Sequence, residues 1–158
     1  MTAELPPPFH VGIVVADLRA ARARISAQLG VQWGPVMHLD AADYRAADGT
    51  DLRLPTTICY STGTPSLELI EEVPGTVWVR NDHSNLHHIG FWTDDLGTAS
   101  DSLGTAGCPL QLCGRTGDHA PTAFTYQRDA ELGIRIELVD AGMRDAMSFL
   151  VAPEPDAD

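Results

Sequence analysis

Lysine is absent from this chain. All 10 basic residues are arginine, set against 22 acidic ones, and the formal net charge is −12. A Schiff-base nucleophile, a pyridoxal phosphate anchor and a P-loop all need an ε-ammonium, so none of them is available here. No basic stripe exists to neutralise phosphates, which argues against nucleic acid as a partner. The same balance argues against an anionic membrane surface. Long apolar runs are missing too: none approaches the roughly 18 residues that span a bilayer. Residues Met1 to Pro8 carry neither a basic region nor an apolar core, so they do not read as a secretory signal. Cysteine is sparse and odd in number. Cys59, Cys108 and Cys113 read as free thiols in a reducing compartment, which predicts a cytoplasmic protein.

What is present is a globular composition, 44% apolar over 158 residues, enough for a single domain spanning 1–158. Within it one pattern is written twice. His10-Val11-Gly12 followed by Asp17-Leu18 returns as His88-Ile89-Gly90 followed by Asp95-Leu96, at a constant offset of 78 residues. A second echo pairs Leu67-Glu68-Leu69-Ile70 with Ile136-Glu137-Leu138-Val139. The chain therefore divides into a first module over 9–75, a second over 86–140, and a short helix with a tail over 141–158.

Periodicity fills in each module. The first has a strand over 10–15, then a helix over 18–29 capped by Asp17 and stopped by Gly30, with Leu18, Ala21, Ile25 and Leu29 inward. Residues 40–51 read as a loop or irregular hairpin, followed by strands over 55–61 and 66–73. The second has a strand over 87–93, a helix over 95–106 with Leu96, Ala99, Leu103 and Ala106 inward, and strands near 109–114, 121–128 and 134–139. Residues 77–85 read as a linker. The fold class is α+β, with helices packed on one side of curved sheets.

Alternate residues of a strand share a face. Leu67 and Leu69 suit a helix-facing side, which turns Glu68 and Ile70 to the concave side; Ile136 and Leu138 do the same for Glu137 and Val139. A lone His or Glu on such a face is ordinary. Both types at matched positions in both modules point to one symmetric site. Two imidazoles and two carboxylates suit one divalent ion, Zn, Ni, Co, Mn or Fe, with coordination positions left for water or substrate oxygens. Tyr126 and Arg128 share a face on the strand before Glu137 and could hold a substrate oxygen. Trp33 and Trp92 suggest an apolar pocket. The partner expected is a small molecule, oxygen-bearing and partly apolar, with its specificity written in residues 31–56 and 74–86.

These motifs resemble the vicinal oxygen chelate superfamily, which includes glyoxalase I, methylmalonyl-CoA epimerase, extradiol dioxygenases and bleomycin resistance proteins. The resemblance covers about residues 9–140. It implies two βαβββ modules forming a cup around one metal held by His10, Glu68, His88 and Glu137, with His87 turned away as a supporting or packing residue. It also implies a homodimer, in which a cup could close within one chain or between two. The implied reaction is proton transfer beside a carbonyl, of isomerase, epimerase or lyase type, through a metal-stabilised enolate with Glu137 or Glu68 as base. The alternatives are a metal-free drug-sequestering protein and an Fe(II) ring-cleaving dioxygenase. Glyoxalase I usually has an Arg where this chain has Val14, and an Asn where it has Glu71 and Glu72, so glutathione is not implied as a partner.

Overall fold

The computed structural model describes residues 4–154; the sequence expectations for residues 1–3 and 155–158 fall outside them. Two β-α-β-β-β units follow one another. The first is β1 (His10–Val15), α1 (Leu18–Leu29), β2 (Met37–Ala46), β3 (Asp51–Tyr60) and β4 (Ser66–Glu71). The second is β5 (Leu86–Thr93), α2 (Leu96–Thr105), β6 (Leu110–Thr116), β7 (His119–Arg128) and β8 (Arg135–Asp140). Both helices start on an aspartate, as the repeat predicts: Asp17 accepts from the Ala20 N–H at 2.8 Å and Asp95 from the Thr98 N–H at 2.9 Å. Gly30 ends α1 in the left-handed region at φ 69°, its N–H returning to the Ser26 carbonyl.

The strands close into a barrel in the order β1-β4-β3-β2-β6-β7-β8-β5. Within each module the first and last strands run parallel, β1 beside β4 and β5 beside β8. The modules are sewn together by the antiparallel pairs β1–β5 and β2–β6. One chain thus closes its own cup. Leu67 and Leu69 turn outward to the cluster under α1, with Leu18, Ala21, Ile25, Trp33 and Cys59, while Ile70, Val14, Tyr44, Tyr60 and Tyr126 fill the interior. Cys59, Cys108 and Cys113 are buried free thiols. No helix among the described residues is long and apolar enough to cross a membrane.

The structure corrects two expectations, both in the helices. Residues 40–51 belong to an irregular hairpin of β2 and β3, one of the two readings the sequence offers. Its signal is hidden because the register shifts between Leu39 and Ala42, so the cup-facing residues are Met37 and Leu39 before the bulge and Ala42 and Tyr44 after it. In α1, Leu29 is exposed rather than inward, in the last turn beside the cap. In α2 the buried residues are Leu96 and Ser100, and Ala106 is exposed. Ser100 accepts a hydrogen bond from Gln127, which itself accepts from Thr125, so this helix docks on β7 through a buried polar chain.

The C-terminal segment is the barrel's cap. Ala141–Met143 and Ser148–Val151 are 3-10 turns flanking α3 (Arg144–Met147). Leu150 inserts into the interior cluster, and the Glu154 carboxylate meets Arg22 at 2.6 Å. Leu150→Ala should cost about 2–5 kcal/mol, because a buried leucine leaves a cavity the cap cannot collapse into. A urea titration checks this as a lowered midpoint at unchanged slope.

Candidate metal centre

Strand register builds the site. Across β1 and β5, His10 pairs with Gly90 and Gly12 with His88. Each imidazole lies over the glycine of the opposite strand. A Cβ on Gly12 would lie far inside van der Waals contact with the His88 ring atoms, and one on Gly90 far inside contact with the His10 ring atoms. The repeated His-x-Gly spacing therefore carries two requirements, a ligand and the clearance for the other module's ligand. On the flanks, β4 sets Glu68 beside Gly12 and β8 sets Glu137 beside Gly90. Two short rows result, Glu68–Gly12–His88 and Glu137–Gly90–His10.

These rows bring together four buried side chains from both modules of one chain. The His10 and His88 Nε2 atoms are 2.8 Å apart. His10 Nε2 lies 2.7 Å from Glu137 Oε2 and 3.4 Å from Glu68 Oε2. His88 Nε2 lies 2.9 Å from Glu68 Oε2 and 3.2 Å from Glu137 Oε2. Bonds of about 2.0–2.2 Å to a first-row divalent ion separate neighbouring ligand atoms by about 3 Å, which is the spacing found. Both Glu Oε2 atoms are buried without a well-directed donor. Two imidazole nitrogens and two such carboxylate oxygens converging on one point fit a divalent cation.

The electrostatics agree. Burial alone would push His10 down, but the carboxylates of Glu137 and Glu68 reverse this and hold it at about 10; His88 is raised for the same reason. Burial would raise the two carboxyls, yet His10 and His88 hold Glu68 and Glu137 below the usual carboxylate range. A cation at this point would take over the charge balance that protons on the imidazoles otherwise supply.

The neighbours hold the four residues unequally. The Tyr60 hydroxyl donates to Glu68 Oε1 at 2.6 Å, whereas Glu137 meets only the two imidazole nitrogens, at its Oε2, among the described residues. His87 is buried against Tyr126 and lies 2.9 Å from His88, Nδ1 to Nδ1, with its Nε2 at 2.8 Å from the Val77 carbonyl. Burial, reinforced by Arg135, pushes His87 down to about 3. His87 therefore touches a member of the quartet directly.

Above the four lies a cavity of about 380 Å³. Its walls are largely apolar and aromatic, with Ile58, Ile70, Phe124 and Leu150 beside Tyr44 and Trp78, and Glu68 and Glu137 open into it. The Tyr126 hydroxyl faces this cavity and accepts from the Trp78 indole N–H at 3.3 Å. Arg115, at the wall, is offset by Asp43 and Asp51, each at 3.5 Å.

Of the four residues expected to bind substrate, only Tyr126 reaches the cup. Trp33 is buried beneath α1, where its indole N–H donates to Ser26 and the Arg22 carbonyl. Trp92 stacks flat on Phe9, centroids 3.9 Å apart, and takes the Arg144 guanidinium on its ring, lining a groove beside α2. Arg128 pairs with Arg135 at the end of β7, beyond the level of Tyr126 and Glu137. The aromatic character of the pocket comes instead from Tyr44, Tyr60, Trp78 and Phe124. Phe124 and Leu150 carry no distinguishing sequence signal; His87 carries one, as the polar residue standing where the first module has Phe9.

The fold and site define a class: a barrel of two repeated βαβββ modules around a buried His/Glu quartet. A family model described as the glyoxalase/bleomycin resistance protein/dioxygenase superfamily matches residues 9–126, and the chain belongs to that superfamily. No curated protein matches the sequence. Among solved structures, methylmalonyl-CoA epimerase from Mycobacterium tuberculosis superposes with a TM-score of 0.64 at 21% identity, covering 94% of this chain and 96% of that one. A variant of the Streptomyces coelicolor methylmalonyl-CoA epimerase in complex with 2-nitronate-propionyl-CoA gives 0.61 at 18%, covering 95% and 100%. A variant of 4-hydroxymandelate synthase from Streptomyces coelicolor gives 0.53 at 15%, covering 86% of this chain and 49% of that one. At these identities the likeness speaks for the fold.

Proposed function

We propose that this protein is a divalent-metal-dependent enzyme that moves a proton beside a carbonyl, of isomerase, epimerase or lyase type. The observation that carries the reading is the unequal pair of carboxylates on the floor of an apolar cup. Tyr60 ties down Glu68, while Glu137 has no such tether and opens into the cavity. A divalent ion held by His10, Glu68, His88 and Glu137 supplies a Lewis acid for a substrate oxygen. Glu137 is then the base, taking the proton at a carboxylate oxygen and returning it to the same or the adjacent carbon. Glu68 stays fixed as a ligand. Tyr126 offers its hydroxyl hydrogen to a second substrate oxygen, and the apolar walls keep water from the exchanging proton.

The cup also bears on the substrate. Its volume suits a small molecule. The basic side chain in its wall, Arg115, is already offset by two aspartates. This supports a compact, apolar-bodied substrate with two neighbouring oxygens over a polyanionic one such as an acyl-CoA. A metal-free binding protein is the second reading, favoured by the fact that protonated His10 and His88 can balance Glu68 and Glu137 without an ion. Elemental mass spectrometry on untagged protein separates the two: the enzyme reading expects about one equivalent of divalent metal.

The test of the chemistry is Glu137→Gln. It should lower α-proton exchange into D2O, followed by NMR over a panel of 2-oxo and 2-hydroxy carbonyl compounds, by about 10²–10⁴-fold. Metal content should stay within about twofold, since an amide oxygen remains a ligand. Undiminished exchange in this variant would remove Glu137 as the base. Failure of the metal-loaded wild type to exchange any such proton would remove the reaction class.

A further inference from the structure

The modules are close copies around the metal point, and besides the Tyr60 tether on Glu68 they differ in the residue that precedes each histidine. The residue before the histidine is Phe9 in the first module and His87 in the second, at the same 78-residue offset as His10 and His88. Phe9 meets the His10 ring edge-on, centroids 4.3 Å apart, and His10 Nδ1 is buried with no hydrogen-bond partner among the described residues. His87 instead places its own Nδ1 2.9 Å from His88 Nδ1.

The proton positions follow from the far end of this chain of contacts. The Val77 carbonyl can only accept, so His87 Nε2, 2.8 Å away, carries a hydrogen. A neutral His87 then has its lone pair at Nδ1. Facing that lone pair, His88 Nδ1 must be the donor. The neutral His88 is left with a bare Nε2, the atom directed at Glu68, Glu137 and His10. Arg135 holds the arrangement in place by donating to the His87 carbonyl at 3.1 Å.

We propose that His87 is a positioning residue for the metal centre: it accepts the Nδ1 proton of His88 and so fixes that imidazole in the tautomer whose Nε2 lone pair faces the metal. The inference rests on the metal reading of the quartet. It divides the two imidazoles into a locked ligand, His88, and an unlocked one, His10. It also gives the connector between the modules a task. Val77 orients His87, while the next residue, Trp78, lines the cup and donates to Tyr126. Ligand orientation and pocket wall are thus set by adjacent residues of one segment.

The natural substitution is His87→Phe, which gives the second module the residue of the first. Zn2+ affinity, measured by competition with a chelator on the full chain, should fall about 10–100-fold, the usual cost of losing a hydrogen bond behind a ligating histidine. His87→Asn keeps an acceptor near the Nδ1 position and should recover most of that loss. Circular dichroism melts of both variants report whether they fold. A folded His87→Phe variant with wild-type Zn2+ affinity overturns the proposal. So does an affinity loss that His87→Asn shares in full while both variants melt like the wild type.

Long-range 1H–15N NMR of the wild type supplies an arm independent of the variants. Its expected pattern is a protonated Nε2 and bare Nδ1 on His87 together with a protonated Nδ1 on His88. A proton on His87 Nδ1 overturns the relay even if every variant fails to fold. If the wild type took up no Zn2+, the metal reading would fall, and the same tautomer pattern would still decide whether His87 orients His88.

Discussion

Gly90→Ala should abolish the divalent-metal uptake proposed for the quartet about as thoroughly as removing His10. The new methyl would occupy the space of the His10 imidazole, overlapping ring atoms rather than the tip of a flexible chain. Neither side can yield cheaply. His10 is fully buried, and the two strands concerned are paired to each other and, on their outer edges, to β4 and β8 in a closed barrel. Either the ring leaves its place or β1 and β5 part. The first outcome costs a ligand. The second adds overpacking strain of about 1–3 kcal/mol in the barrel interior. Metal retained after dialysis should drop at least about tenfold, in line with the loss of ligand geometry. Gly12→Ala should do the same through His88. Gly104→Ala is the control, since nothing lies within 4 Å of a Cβ there; it should keep full metal. A Gly90→Ala protein that holds its metal like the wild type would show that the His-x-Gly spacing has another cause.

The same two glycines show why so much of the site was legible. Repetition is a signal that survives ignorance of the fold. A His and a Glu recurring in each module, each with fixed neighbours, define a shared position whatever surrounds it. The facing of Glu68 and Glu137 was readable for a different reason: short strands without bulges obey period two, so Leu67 and Leu69 on one side fix Glu68 on the other. Where the backbone departs from regularity, the reading lapses. The bulge between Leu39 and Ala42 shifts parity within β2, and a strand that changes parity halfway looks like no strand at all.

The pocket was less legible than the quartet. Tryptophan suggests an apolar cup, but Trp33 is spent on the α1 cluster and Trp92 on a stack with Phe9. A large ring is equally at home in any apolar layer, and composition does not say which layer. Trp78, in the least patterned segment, is the one that lines the cup. The polar docking of α2 was hidden for a related reason. Ser100 reads as a surface residue until Gln127 is known to lie beneath it. His87 sits between these cases: it is the single break in symmetry next to a ligand, visible in the sequence, but its meaning depends on where the Val77 carbonyl falls.

Metal affinity should climb steeply with pH while the metal-free protein loses stability over the same range. His10 is held at about 10, above its ordinary 6.5. Its contribution to the metal-free fold is complete below about 6.5 and is lost as pH rises through about 10. Glu68 and Glu137 are held below their ordinary 4.5, so their contribution is present above about 4.5 and is lost as pH falls below it. Without metal, the fold should therefore be most stable in the mildly acidic window between those limits. A divalent ion needs both Nε2 lone pairs, so binding must expel whatever protons His10 and His88 hold. Each expelled proton adds about a tenfold gain in affinity per pH unit, up to about a hundredfold if both leave together. Competition titrations with Zn2+ between about pH 6 and about pH 8 read that slope directly, and melts with and without a chelator read the opposite trend in the metal-free form. A flat affinity across this range would mean that the imidazoles were already bare, and that Glu68 and Glu137 do not hold the protons there that their geometry implies.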